Sequence, residues 1–310
     1  MSPSIVAIVG PTASGKTALG LALATRLEGE IIGADSRQVY IGMDIGTAKP
    51  TVEERSAVPH HLVDILPPDE PFSLGDWLKL ARSVLDDIWA RGKLPILVGG
   101  SGQYVWALLE NWLVPQVPPQ PELRRQLEER AALEGIPALY SDLERLDPEA
   151  AARVDRSNPR RVIRALEVFH ATGKALPHCT VKEAPPWQSL VLGLRVERKE
   201  LYGRIDTRIE SMIAAGLIDE VSQLIAFGYS PMLPALSGIG YKEVCSYLGS
   251  ELTLEQATAR MKTETHRFVR HQNNWFKPDD PRIHWLDADA AVASRAALLV
   301  EGLLAAQQPL

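Results

Sequence analysis

Five consecutive apolar residues, Ile5–Val9, lie near the start of the chain and stop at Gly10-Pro11. That is the pattern of a strand buried on both faces. Thr17–Leu27 (TALGLALATRL) then predicts a helix, and Glu30–Ala34 a second short strand ending at Asp35. From Leu74 to Ala90 apolar residues recur at helical spacing, at Leu74, Trp77, Leu78, Ala81, Leu85 and Ile88. Gly92 stops the pattern, and Pro95–Val98 is a third buried strand, closed by Gly99-Gly100. Such alternation predicts a mostly parallel, doubly wound sheet. Pro115–Pro121 (PQVPPQP) holds four prolines and cannot belong to it. From there to Pro185-Pro186 the patterns are helical only. A strand signal returns at Leu190–Val196, and long helices are predicted over Lys199–Phe227 and Thr253–Phe276. The expected organisation is an α/β core from residues 1–115 and 186–310, interrupted by an all-helical insertion at 116–185.

Composition narrows the class. The 310 residues are 45% hydrophobic and 23% charged, a globular balance. No run approaches the ~18 apolar residues of a membrane helix, and the first apolar run is too short for a signal peptide. Cys179 and Cys245 stand apart from each other and from any ligand-spaced histidine, so neither a disulfide framework nor a zinc site is expected. A cytoplasmic protein with no membrane contact is the expectation. Net charge is −6, which argues against a bulk electrostatic grip on nucleic acid. The acidity is uneven, however. Pro115–Pro185 carries eleven basic and eleven acidic residues, and Asp155–Lys174 five basic against two acidic. A local basic face on an acidic protein follows.

Gly10-Pro11-Thr12-Ala13-Ser14-Gly15-Lys16-Thr17 satisfies G-x-x-x-x-G-K-[ST], between a buried strand and a helix start. Its glycines let backbone N–H groups turn inward around an anion, and the helix N-terminus adds partial positive charge. Lys16 supplies a point charge to phosphates, and the Thr17 hydroxyl suits Mg²⁺. ATP, GTP and a diphosphate ester fit this loop equally well. The usual partner is an apolar strand ending in a magnesium-binding acid, but Leu97-Val98-Gly99-Gly100-Ser101 carries no acid, and the guanine-reading N-K-x-D is absent. An acid does end the second strand, at Asp35. Strand carboxyl ends line the ligand crevice of an open α/β sheet, so Asp35 should face the P-loop's crevice.

Seven blocks fall in order along the chain: GPTASGKT (Gly10–Thr17), DSRQVY (Asp35–Tyr40), GMDIGTAKP (Gly42–Pro50), HHLVDI (His60–Ile65), LVGGSGQY (Leu97–Tyr104), NPRRVIRALEV (Asn158–Val168) and GIGYKE (Gly238–Glu243). Together they resemble the tRNA dimethylallyltransferases, also called tRNA isopentenyltransferases, from about Ile5 to Phe276. The resemblance implies a P-loop NTPase-like core. It implies transfer of a dimethylallyl group from dimethylallyl diphosphate to N6 of the adenosine just 3′ of the anticodon, with Mg²⁺ as cofactor and the anticodon stem-loop of tRNA as partner. A monomer is expected. The P-loop would hold the diphosphate leaving group. An exocyclic adenine amine is a poor nucleophile that needs a carboxylate to take its proton, and Asp35 resembles the family's general base. The plainer reading makes Asp35 an outer-sphere magnesium ligand or a strand-end cap. Ser101 stands where the family more often has Thr and keeps a hydroxyl near the reacting amine. Ser36 and Gln38, with Arg37 between them, are expected to meet the flipped base. Arg204 and Arg208, one helical turn apart, resemble arginines that face the diphosphate; the competing reading pairs them with Asp206 and Glu210 on a solvated face.

For the RNA, Ser157-Asn158-Pro159 reads as a helix start. Val162, Ile163, Leu166 and Phe169 form the apolar stripe, so Arg160, Arg161 and Arg164 project together toward phosphates. Arg124 matches a family arginine that contacts tRNA. His266–Phe276 (HRFVRHQNNWF) resembles a family K-R-Q-x-x-W-F block, with His271 in the usual arginine position; Trp275 and Phe276 are expected in the core. A small-molecule or nucleoside monophosphate kinase would share the P-loop, parallel sheet, strand-end Asp and helical insert. A nucleotide-switched RNA-binding module is a third reading. Asp35 and the missing acid after Val98 favour the transferase over both.

Overall fold

The computed structural model describes residues 3–114, 117, 120–173 and 181–306. Expectations resting on Pro115, Pro118, Pro119, Lys174, Cys179 and the Lys182 side chain lie outside the described residues. The chain divides into two compact units, Met1–Leu109 with Pro185–Leu310, and Glu110–Ala184.

The first unit begins with β1 (Ser4–Val9), α1 (Lys16–Leu27), β2 (Glu30–Gly33), α2 (Val52–Ala57), β3 (His60–His61), α3 (Leu74–Ala90), β4 (Pro95–Val98) and α4 (Gly102–Leu109). Two of these helices start where their sequences dictate. Ser73 and Asp76 form a reciprocal capping box for α3, as Thr51 and Glu54 do for α2. The second unit contains β5 (Trp112–Leu113), α5 (Pro121–Glu134), α6 (Ile136–Leu146), α7 (Pro148–Ala151), α8 (Pro159–Thr172) and β6 (Val181–Lys182). It is helical, as patterned, with one addition: β5 and β6 form a two-residue antiparallel pair, too short to leave an alternation in the sequence. Its own core gathers Leu127, Leu139, Leu143, Val162, Ile163 and Leu166.

The first unit resumes with β7 (Gln188–Arg195), α9 (Arg198–Ala214), α10 (Leu217–Ala226), α11 (Tyr241–Leu248), α12 (Leu254–Gln272), β8 (Ile283–Asp287) and α13 (Val292–Ala305). Two helix expectations need correction. Lys199–Phe227 is broken into α9 and α10, because Gly216 adopts φ 103°, outside helical space, and becomes the N-cap of α10. The helix expected to reach Phe276 ends at Gln272.

All pairings in the six-stranded sheet are parallel, in the order β3-β2-β4-β1-β7-β8. Val6 and Ile8 of β1 cluster with Leu19 and Leu23 of α1 and with Ala296, Ala297 and Val300 of α13. Thus β8 and α13, outside the resemblance, complete the sheet and cover one face. Ile5, Ala7 and Val9 point to the other face and are equally buried. There α3 packs on β2 and β4, with Trp77 wholly buried and its indole N–H donating to Gly33 O at 3.1 Å. The carboxyl ends of β1, β2 and β4 thus lie side by side on a rigid, dry platform, and α9, α11 and α12 pack together as a helical cluster within the same unit.

Candidate active site

The loop after β1 is shaped by its glycines. Gly10 has φ +142°, and a Cβ there would stand 3.0 Å from Leu194 O. Gly15 (φ 96°) is the N-cap of α1 and makes no side-chain cap, so the helix starts with no side chain across its first N–H groups. Lys16 Nζ donates to Pro11 O at 2.7 Å, curling over the loop. Burial first, then the Arg208 charge, push the Lys16 ammonium down to about 7, against a smaller upward pull from Asp35. Ser14 Oγ is buried with no hydrogen-bond partner among the described residues.

A crevice of about 330 Å³ opens from this loop, within the first unit. Its polar lining includes Thr12, Asp35, Ser36, Arg37, Ser101 and Arg208. Ile205, Ile209 and Met212 of α9 and Met261 and Phe268 of α12 supply an apolar wall. Asp35 Oδ1 accepts the Arg37 N–H at 2.8 Å, which fixes the carboxylate. The Arg37 guanidinium holds the 234–237 turn through Pro234 O, Ala235 O and Ser237 Oγ. Burial pushes the Arg208 guanidinium below its ordinary range, and the charge of Asp35 opposes that shift. Among the described residues neither Lys16 nor Arg208 has a salt-bridge partner.

The strand ends meet through missing side chains. A Cβ on Gly99 would lie 2.1 Å from Ala34 O, on Gly100 2.3 Å from Gln272 Nε2, and on Gly102 2.3 Å from Trp275. The glycines of LVGGSGQY are therefore close-approach positions around Ser101. Two other blocks are fasteners. Lys49, almost fully buried, donates to Tyr40 O at 2.8 Å and pairs with Asp44 at 2.6 Å and with Asp64. Glu220 accepts the N–H groups of Asp44, Ile45 and Gly46 and the Tyr241 hydroxyl at 2.6 Å.

Of the P-loop, Thr12 lines the crevice, and among the other residues predicted to face diphosphate or base two do not reach it. Gln38 donates its amide to Thr47 O and Ala48 O, tying down a loop. Arg204 pairs with Glu200 at 2.6 Å; it meets neither Asp206, which lies 3.0 Å from His266, nor Glu210, which pairs with Lys262. Phe276 is core, whereas Trp275 keeps 39% exposure while covering Gly102.

In the second unit Asn158 caps α8 by accepting the Arg161 N–H at 3.3 Å, and Pro159 takes the first helical position. Arg160 and Arg161 are exposed. Arg164 is not free with them: it donates to Val117 O at 2.8 Å and pairs with Glu167, which is wholly buried. Arg124 binds the same carboxylate through Nε at 3.0 Å and a second nitrogen at 2.8 Å. The free cations are instead Arg156, Arg160 and Arg161, which make no side-chain hydrogen bond or ion pair among the described residues.

Residues 38–279 match the family described as IPP transferase, and residues 3–61 that described as isopentenyl transferase. The tRNA dimethylallyltransferase of Roseiflexus sp. (strain RS-1) is 51% identical over 297 residues, 96% of this chain and 97% of the relative. The chain belongs to the tRNA dimethylallyltransferase family. The tRNA dimethylallyltransferase of Thermomicrobium roseum is 49% identical across 91% of this chain and 86% of its own length. Among solved structures, the full-length tRNA isopentenylpyrophosphate transferase from Bacillus halodurans superposes with a TM-score of 0.71, at 40% identity, covering 99% of this chain and 96% of that one. A eukaryotic dimethylallyltransferase described as acting on tRNA superposes at 0.83, with 28% identity, covering all of this chain and 81% of that one.

For a dimethylallyltransferase the residue that sequence reasoning does not single out is Gln272. Its signal is present, as the Q of the HQNNWF block, but only the fold shows what it touches. No helix among the described residues is long and apolar enough to cross a membrane.

Proposed function

We propose that this enzyme joins C1 of dimethylallyl diphosphate to N6 of the adenosine 3′-adjacent to the anticodon, with the crevice at the ends of β1, β2 and β4 as the transfer site. The observation that carries the reading is the meeting of two unpaired cations, Lys16 and Arg208, with one carboxylate, Asp35, around a P-loop whose neighbouring strand ends in no acid. A kinase of this fold places a magnesium-binding carboxylate there. This chain places Gly99, Gly100 and Ser101 there.

The P-loop N–H groups, Lys16 and Arg208 hold the diphosphate. The N6 lone pair forms the new bond to C1, the C1–O pair leaves with the diphosphate, and the N6 proton passes to Asp35. Ser101 orients the amine, and Ser36 and Arg37 border the flipped base. The apolar wall from α9 and α12 takes the prenyl group and sheds water from the allylic carbon.

The donor set suits Mg²⁺ carried in with the substrate. No group of three or more His, Cys, Asp or Glu is arranged for a metal among the described residues, but Thr17 offers a hydroxyl beside the phosphates, and Mg²⁺ commonly keeps waters and binds through substrate oxygens. When bound, it neutralises charge developing on the leaving diphosphate. The exposed Arg160 and Arg161, with Arg156, supply phosphate contacts for the RNA, and a tRNA substrate fits a cytoplasmic enzyme.

Incubation with radiolabelled dimethylallyl diphosphate and an anticodon stem-loop transcript tests the reading. Label should enter the RNA and vanish when the target adenosine is replaced by guanosine. ATP-dependent phosphorylation of a small acceptor, with no label in RNA, would establish the kinase reading instead.

A further inference from the structure

Gln272, in the last turn of α12, is 4% exposed and uses both ends of its amide. Oε1 accepts the Thr12 N–H at 2.8 Å, and Nε2 donates to Gly100 O at 3.0 Å. One bond reaches the P-loop; the other reaches the backbone immediately before Ser101. Both Thr12 and Ser101 line the crevice, and Gln272 does not. Gly100 leaves room for this approach, since a Cβ there would stand 2.3 Å from Nε2 and displace the amide. Beyond Ser101 the start of α4 is gripped as well, with Trp275 over Gly102 and Trp275 O accepting the Trp106 indole N–H at 3.0 Å. The end of α12 and the residues just after it thus hold the β4–α4 loop before Ser101 and the first turns of α4 after it.

We propose that Gln272 is a positioning residue: its amide sets the distance between the P-loop, which holds the donor, and Ser101, which faces the acceptor. This rests on the crevice being the transfer site. Its physical basis is that a buried amide with one donor and one acceptor engaged has a fixed sense. It cannot rotate by 180° without facing N–H to N–H and oxygen to oxygen. Misplacement of reacting groups by about 1 Å can cost on the order of 10²-fold in rate.

The test uses Gln272→Glu and Gln272→Met in the full chain, with steady-state transfer to tRNA measured from pH 6 to pH 8.5 and melting temperature recorded for each. A glutamate keeps an acceptor for Thr12 but, when ionised, opposes Gly100 O. When protonated, it donates to that oxygen as glutamine does. Burial and the facing carbonyl hold such a carboxyl up toward the assay range. At pH 8 the kcat of Gln272→Glu should fall about 10- to 100-fold, with the KM for tRNA within about twofold of wild type. The ratio to wild type should recover as pH falls. Gln272→Met should be slow at every pH, again with the KM for tRNA kept. Wild-type kcat in both variants would overturn the proposal, as would a loss that is pH-independent in both and tracks the fraction folded. Should the glutamate variant not fold, the methionine variant decides by its kcat loss at unchanged KM for tRNA. Absence of transfer by wild type itself would instead sink the assignment of the crevice.

Discussion

The two units treat positive charge in opposite ways. At the strand ends of the first, Lys16 and Arg208 lie close enough for one to depress the other's proton affinity, and no carboxylate binds either. In the second unit, Arg124 and Arg164 converge on the buried Glu167, Arg125 pairs with Glu122 and Glu129, and Arg130 with Glu134 and Asp142. There charge builds the domain, and among the described residues only Arg156, Arg160 and Arg161 are left over. In the crevice, charge opposes the fold and awaits an anion. The contrast separates cations left without a counter-ion at the strand ends from cations that hold structure, a distinction that counting arginines does not make.

The sharpest way to break the comparison is at the carboxylate. Asp35→Asn should lower kcat by roughly 10²–10⁴-fold while binding of donor and of tRNA, measured separately, stays near wild type. A near-normal kcat would remove Asp35 as the base. Next in size is Lys16→Ala. Losing a charged hydrogen-bond donor should weaken dimethylallyl diphosphate about 10- to 150-fold and leave tRNA affinity intact. If filter binding instead lost tRNA and kept the donor, the cradle would be misassigned.

The second unit should answer in stability rather than chemistry. Glu167→Gln strands two arginines around a neutral amide, so chemical denaturation should report a loss of about 1.5–3 kcal/mol with kcat unchanged in the folded enzyme. An unaltered unfolding curve would show that this network is not structural. The smallest effect is expected from Arg160→Ala with Arg161→Ala, which touches no ion pair. tRNA affinity should fall modestly, and each phosphate interaction removed should flatten the slope of log affinity against log salt by up to about 0.7–0.9. Parallel slopes for variant and wild type would mean that these arginines do not touch the RNA backbone. Arg164 is left out of this variant because its removal would disturb Glu167.

What is legible in the sequence follows from range. The P-loop, the strands around it and Asp35 are readable because each is a local pattern whose meaning the α/β topology fixes. Arg164 is misplaced because helical spacing puts it on the face of Arg160 and Arg161. The acid three residues on, Glu167, hints at the pairing, yet its burial among Val162, Ile163 and Leu166 is tertiary. The GMDIGTAKP and GIGYKE blocks are recognisable as family signatures, but nothing local says that Glu220 and Tyr241 fasten the first of them. Gln272 lies 260 residues from Thr12, and no periodicity encodes such a meeting. The break at Gly216 is written in the glycine and masked by the strength of the flanking helical pattern.

The central claim is that an unpaired Lys16, beside Arg208 and Asp35 of the crevice, stands ready for the donor's diphosphate, and proton linkage tests it most directly. In the free enzyme the pKa of this ammonium sits near 7, well below the ~10.4 of an unfolded lysine. The unfolded chain therefore binds more protons between these values, and stability of the free enzyme should rise with pH across that window. A bound diphosphate supplies the missing counter-charge and raises the pKa of Lys16, so binding near pH 8 should draw a proton from solution. Calorimetric titration with dimethylallyl diphosphate at pH 8, in buffers of different ionisation enthalpy, measures the protons taken up. Wild type should take up close to one proton more per donor than Lys16→Ala. Equal uptake by the two proteins would contradict the account, because Lys16 would then already be paired before the donor arrives.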